Sequence, residues 1–168
     1  DSWESGMELH AKYTLFSEGT RGSLSKFLTK NFNLSENSDY QKYAIGLKEL
    51  WEINEENFVD GLVEHSMGWP LSDETNGGSF LYHFDKNLVS IGYVIHLNYT
   101  NPYVSPFDEF QQFKTHPSVK KVLKGGKRIS YGARAITTGG YQSVPKLYFP
   151  GGALIGCSAG FLNYPKIK

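Results

Sequence analysis

Apolar side chains at Met7, Leu9, Ala11, Tyr13 and Leu15 alternate with mostly polar neighbours, the period-two signature of a half-buried strand that Glu18-Gly19 ends. The spacing then changes, and Leu24, Phe27 and Leu28 in SLSKFLTKNF recur at helical intervals. YAIGLKELWEI reads as a second strand. SFLYHF and LVSIGYVIHLNY, two aromatic and β-branched runs on either side of Asp85-Lys86-Asn87, predict a hairpin. Ser105-Pro106-Phe107-Asp108 has the form of a helix start with proline in the first turn, so PFDEFQQFKTH is predicted helical. Pro117 opens a short second helix through Leu123, and Gly125-Gly126 reads as its stop. KRISYGARAI and KLYFPGGALIGCS complete the pattern as strands separated by a glycine-rich loop, with Gly151-Gly152 as a turn into ALIG. Five to seven strands and two or three helices, without regular strand–helix alternation, predict an α+β fold with a mixed or antiparallel sheet.

Composition narrows the class. A chain of 168 residues is long enough for one real core. The 17 basic and 17 acidic residues cancel, which leaves no electrostatic footprint for nucleic acid. The 11 Tyr, 11 Phe and 3 Trp supply the contact area of a folded domain. Cys157 is the single cysteine, which excludes a disulfide framework. No apolar run is long enough to cross a bilayer as a helix. The chain starts at Asp1 close to a strand-like segment and stops at NYPKIK directly after another, so it reads as a piece of a longer protein.

The short motifs mostly resolve to structural readings. Gly156-Cys157-Ser158-Ala159-Gly160 matches a nucleophile elbow, yet no Asp, Glu or His follows it to complete a hydrolase triad. Ser158 therefore reads as a small residue at a strand end. His10, His65, His83, His96 and His116 lack the spacings of a metal site. Neither Gly-x-Gly-x-x-Gly nor a phosphate-binding loop occurs. Arg134, among apolar neighbours in YGARAI, is expected to pair with an acidic residue or a backbone carbonyl, because a lone buried charge is prohibitive.

Four segments carry a family resemblance. TLFSEGTRGSLSKFL, a strand followed by an acidic residue with glycine and then a helix, is similar to the second flavin motif of hydroxylase-type FAD proteins. PGGALIGCSAGFLNYPKIK occupies the place of their third motif, a strand ending beside the flavin. With HSMGWPLSDETNGGSFLYHF and GGKRISYGARAITTGGYQSVPKL between them, the chain resembles the electron transfer flavoprotein–ubiquinone oxidoreductase family from about Met7 onward. The resemblance implies a fold like the substrate-side domain of hydroxylase-type flavoproteins. It implies a division into 1–30 and 137–168, belonging to an FAD domain, around a ubiquinone-binding segment at 40–136. It also implies FAD and a 4Fe-4S cluster in the intact protein, with electron transfer flavoprotein and ubiquinone as partners. The intact enzyme would associate peripherally with a membrane, the mitochondrial inner membrane in a eukaryote or the cytoplasmic side of the plasma membrane in a bacterium. The cluster needs four thiolates, so Cys157 alone cannot hold it.

Carried over by position, the resemblance places ubiquinone at Gly77 and Gly78 of the Gly-Gly-Ser-Phe step. It places the flavin against Glu18, Gly19, Gly139, Gly140, Ser143, Gly156 and Cys157. The chemistry agrees: a quinone head is uncharged, carries two carbonyl oxygens, and needs donors plus apolar walls such as Trp69, Pro70, Phe80 and Leu81. Gly139-Gly140 would leave room between flavin and quinone. Two departures stand out, Thr137-Thr138 where members of the family often carry Asn-Glu, and Ala159 where proline is common. No acid–base residue is expected to be catalytic. A flavoprotein hydroxylase or geranylgeranyl-type reductase, and a non-catalytic lipid- or quinone-binding domain, are the competing readings.

Overall fold

The computed structural model describes residues 2–162. Among them the chain forms eight strands and three α-helices. They are β1 (Thr14–Phe16), α1 (Ser23–Asn31), β2 (Tyr43–Glu52), β3 (Val63–Met67), β4 (Gly77–Phe84), β5 (Leu88–His96), α2 (Pro106–Phe113), α3 (Pro117–Leu123), β6 (Lys127–Thr137), β7 (Tyr148–Phe149) and β8 (Gly152–Leu154). The fold is α+β, as the sequence predicts, with one strand more than its upper count. Two compact units divide the chain, Lys42–Thr138 and the combination of Asp1–Gln41 with Gly139–Lys168.

In the Lys42–Thr138 unit the strands form one antiparallel sheet in the order β3-β4-β5-β2-β6. The β4–β5 hairpin turns at Asp85 and Asn87, both with positive φ, where Asp and Asn tolerate the left-handed region better than most residues. Alternation puts Leu81 and His83 of β4, and Val89, Ile91, Tyr93 and Ile95 of β5, on one face. Phe110 and Phe113 of α2, with Val119 and Leu123 of α3, bury that face. Ser105 caps α2 by accepting from the Asp108 N–H, and Pro106 occupies the first turn, where a missing N–H costs nothing. Gly125, at φ +75, stops the chain just after α3.

One core-facing position of β2 is charged. Glu49 follows Ile45 and Leu47 on the covered face and is only 3% exposed. Lys114, at the C-terminal end of α2, donates to both of its oxygens at 2.9 Å, the Trp51 indole N–H donates at 2.8 Å, and Arg128 of β6 donates at 3.1 Å. Burial pushes the Glu49 carboxyl up, but the hydrogen bonds from Lys114, Trp51 and Arg128 outweigh it and hold the group below its ordinary value. One carboxylate thus ties β2, β6 and α2 together.

The second unit contains β1, β8 and β7 in that order, with β1 parallel to β8 and β7 antiparallel to it. Leu34, Phe149, Leu154 and Ala159 form its small core, and Phe32 stacks on Phe149 at 4.8 Å. The long first strand expected from Met7 is only three residues here. Met7 and Leu9 are both 89% exposed and pair with nothing in the sheet, so period-two alternation alone formed no strand where no neighbour lay beside it. Residues 163–168, the tail of the PGGALIGCSAGFLNYPKIK motif, lie outside the described residues.

Glu49→Ala is expected to cost about 3 kcal/mol or more, because it strands Lys114 against the aromatic core without its counter-charge. Thermal melting at neutral pH reads the loss. Because the folded-state pKa of Glu49 is depressed, its contribution is present above the ordinary carboxylate range and disappears as pH falls through the folded value.

Candidate functional site

The Gly77–Gly78 step opens β4, with strands paired on both of its flanks. Gly77 is opposite Ile95, and Gly78 lies between Met67 of β3 and Val94 of β5. Neither glycine has positive φ, so backbone conformation is not what demands them. Crowding is. A Cβ on Gly78 would stand 2.6 Å from the Ser66 carbonyl oxygen, and one on Gly77 would meet the Leu71 side chain and stand 2.5 Å from the Val94 carbonyl oxygen. Protein therefore fills the space that sequence reasoning reserved for an approaching ring. A Gly78→Val substitution would meet backbone, so its effect would report the packing of β3 on β4 before any ligand.

That close approach shapes what lies beside it. Ser66 of β3 and Ser79 of β4 face each other across the strand pair, with their hydroxyl oxygens 2.5 Å apart. They line a cavity of about 180 Å³. Leu81, Phe113 and Val119 contribute its apolar side, and Met67, 76% exposed, sits at its rim. Trp69 and His116 add an aromatic pair with centroids 5.3 Å apart. Trp69 is held because the Tyr93 hydroxyl donates to the Gly68 carbonyl oxygen at 2.8 Å, while His116 is tied to Ser118 at 2.7 Å. No lysine or arginine lines the cavity, and its one carboxylate, Glu64, is exposed. The arrangement suits a neutral ring with a polar substituent. Of the expected apolar walls, Trp69 and Leu81 line this cavity. Phe80 projects to the opposite face, where it leans over Gly92 and stacks on Tyr82 at 5.7 Å.

In the other unit the positions expected beside the flavin divide by role. Glu18 caps α1: its carboxylate accepts from the Ser25 N–H at 2.6 Å, the Ser25 hydroxyl at 2.7 Å and the Leu24 N–H at 3.3 Å. Those bonds, the Ser25 hydroxyl first, hold its carboxyl below the usual range. Ser143 is buried, and its hydroxyl donates inward to the Tyr40 carbonyl oxygen at 2.9 Å. The Gly139 N–H donates to Gln41 Oε1 at 2.7 Å, and no room exists for a side chain at Gly139. Gly19, Gly140 and Gly156 have φ of +80, +77 and +60. No atom lies within 4 Å of a Cβ built on Gly19 or Gly156, so a planar group has open access to their backbone. Cys157, half-buried, lies in a 3-10 turn, Gly156–Ser158, and the Ser158 hydroxyl donates to the Gly19 carbonyl oxygen at 3.0 Å. Ser158 thus has a structural bond and no triad.

Other residues correct or extend the sequence reading. Arg134 was expected to be paired and buried. It lies exposed on the edge strand β6, and no ion pair involves it among the described residues. Thr137 is 3% exposed, and the hydroxyls of Thr137 and Thr138 are buried without a partner. His83, 2% exposed, accepts the Val59 N–H at Nδ1 while its Nε2 is orphaned, and burial pushes its pKa down. Nothing in its spacing distinguished it from the exposed histidines. No metal-ligating group of three or more side chains occurs among the described residues.

Residues 43–136 match the family model described as ETF-QO, ubiquinone-binding. The chain is 59% identical over 163 residues to the electron transfer flavoprotein-ubiquinone oxidoreductase of Pseudomonas aeruginosa, covering 97% of this chain and 30% of that protein. It is also 59% identical over 169 residues to the mitochondrial protein of the same name from Homo sapiens, covering 99% and 27%. The chain therefore spans less than a third of the length of these curated relatives. Among solved structures, a geranylgeranyl bacteriochlorophyll reductase-like protein from Thermoplasma acidophilum superposes with a TM-score of 0.64 at 17% identity, over 90% of this chain and 35% of that one. A flavin-dependent brominase mutant gives 0.58 at 14% identity, over 92% and 38%. These two show the shared fold.

Removing the α1 cap by Glu18→Ala is expected to speed amide exchange at Leu24 and Ser25, read by hydrogen exchange. In the unaltered chain, protection at these two amides is expected above the ordinary carboxylate range. It is lost as pH falls through the depressed pKa of Glu18.

Proposed function

The chain belongs to the ETF-QO, ubiquinone-binding family, and we propose that it is the middle part of an oxidoreductase that passes electrons from electron transfer flavoprotein to ubiquinone. The observation that carries this reading is the 59% identity to oxidoreductases of that name over nearly the whole chain. The matched segment, 43–136, also falls within the unit that holds the cavity. In this reading Lys42–Thr138 is the ubiquinone-binding domain, and the segments before and after it belong to an FAD domain. The intact protein carries the 4Fe-4S cluster outside this chain. It sits peripherally on the mitochondrial inner membrane in a eukaryote, or on the cytoplasmic face of the plasma membrane in a bacterium.

The quinone head enters the cavity beside Gly77–Gly78, and its apolar tail leaves past the exposed Met67 and Trp69. Gly78 serves the site by letting β3 close on β4, and Gly77 by leaving room for Leu71 and the Val94 carbonyl of β5. Bound FAD would supply the redox centre between electron transfer flavoprotein and the quinone. Contact with the flavin is assigned to Gly19, Gly140, Gly156 and Cys157, of which Gly19 and Gly156 have empty space where a side chain would stand. Glu18 and Ser143 act one step back, by capping α1 and by holding the Gly139 loop to Tyr40. The likeness to solved flavoenzymes supports the fold alone. A hydroxylase or reductase reading has no observation of its own in its favour.

Two outcomes test this. Full-length protein carrying Met67→Glu is expected to lose at least about tenfold in kcat/KM for a short-tail ubiquinone, since the tail would have to pass a charge. Its flavin should still be reduced by electron transfer flavoprotein at the unaltered rate. Unchanged quinone kinetics in a folded, flavin-loaded variant contradict the assignment. The 168-residue chain by itself is expected to retain no stoichiometric FAD through gel filtration, because the glycine-rich turn that normally seats the pyrophosphate does not occur in its sequence. One-to-one flavin in the protein peak refutes that expectation.

A further inference from the structure

The polar end of the cavity holds a proton with no partner. Two serine hydroxyls together offer two donor protons and four acceptor lone pairs. Their mutual contact at 2.5 Å uses one proton and one lone pair. Among the described residues neither hydroxyl makes a further side-chain bond, so one proton is left over. Ser79 is 9% exposed and Ser66 lies on the edge strand, and both line the cavity. Ser66 is exposed and can give its proton to water, whereas a spare proton on the buried Ser79 calls for an acceptor inside the cavity.

We infer that the Ser66–Ser79 pair is the positioning and specificity element of the cavity, holding one ring oxygen of a neutral, single-ring ligand. The inference rests on the quinone reading above and adds residues that reading does not require. Size agrees: an apolar cavity of about 150 Å³ accepts a benzene ring, and this one is about 180 Å³. Charge agrees as well, because an anionic ligand would find no lysine or arginine among the lining residues. The flanking aromatics are apolar walls for a flat ring, with Trp69 and His116 at 5.3 Å from each other.

The pair also explains how one site serves two redox forms. A carbonyl oxygen of a quinone only accepts, and it takes the spare proton. A hydroxyl of a quinol also donates, and either serine offers it a lone pair after a simple rotation about its C–O bond. The contact between the serines survives both arrangements. Two rotors that hold each other thus keep the oxygen in place while the direction of the hydrogen bond reverses.

The test uses the 168-residue chain and two probes of similar ring size, 2,3-dimethoxy-5-methyl-1,4-benzoquinone and 1,4-dimethylbenzene, titrated by ligand-detected NMR. The double variant Ser66→Ala/Ser79→Ala is expected to weaken binding of the quinone about tenfold, the upper range for one neutral hydrogen bond. Its affinity for dimethylbenzene should be unchanged, which also certifies an intact cavity. Ser66→Thr, which keeps the hydroxyl, is expected to retain the affinity for quinone. Should the double variant fail to fold, Ser66→Ala on the exposed edge strand is expected to weaken quinone binding about threefold and leave dimethylbenzene alone. Equal losses for both probes, or none for the quinone, overturn the inference while leaving the quinone reading intact. No saturable binding of quinone to the unaltered chain overturns both.

Discussion

The architecture of the site depends on how closely three backbones approach at Gly77–Gly78. Neighbouring strands are normally separated enough for Cβ atoms to leave the sheet unhindered. Here the Ser66 carbonyl oxygen occupies the space of a Gly78 side chain, and Leu71 with the Val94 carbonyl occupies that of Gly77. A larger residue at Gly78 would push β3 outward, and one at Gly77 would displace Leu71 or β5. With β3 held in, Ser66 meets Ser79 at 2.5 Å and the cavity closes around them. The glycines act through absence, and their effect is felt on the serines next to them.

The other walls are set by bonds further away. Lys114 on Glu49 anchors the C-terminal end of α2, directly after Phe113, which packs on Tyr93 with ring centroids 5.0 Å apart. Tyr93 in turn uses its hydroxyl to hold Gly68, and so the position of Trp69. A buried ion pair is weak as a net source of stability but strong as a constraint, because neither partner tolerates separation from the other. The charged hub and the neutral cavity are thus two ends of one chain of contacts. The hub accounts for a carboxylate at a position that alternation assigns to the core.

Much of the fold was legible because its signals are local. The β4–β5 hairpin follows from alternation around Asp85-Lys86-Asn87, and α2 from Ser105-Pro106 with Asp108 three residues on. What stayed hidden depends on neighbours. β3 is an edge strand exposed along its whole length, so VEHSM carries no burial pattern to read. Met7 to Tyr13 alternate well but have no pairing partner, whereas Thr14–Phe16 beside β8 form a strand. Arg134 was misjudged for the same reason: apolar residues around it in sequence do not imply burial on an edge strand such as β6. At Gly77–Gly78 the sequence suggested room for a ligand, whereas the space of the missing side chains is taken by protein, a crowding that only the register of the strands reveals. The sequence suggested Glu18 and Ser143 as flavin contacts, while their use as a helix cap and a loop tie required geometry. The Ser66–Ser79 pair, thirteen residues apart with no motif, could be found only once the register of β3 on β4 was known.

The central claim, that the cavity between β3, β4 and the two covering helices receives a quinone ring, is tested most directly by amide and indole chemical-shift mapping during titration with a short-tail ubiquinone. The account predicts saturating shifts that converge on Ser66, Ser79, Leu81, Val119 and the Trp69 indole. Shifts confined to the opposite face of the sheet, around Phe80, Tyr82 and Gly92, would contradict it.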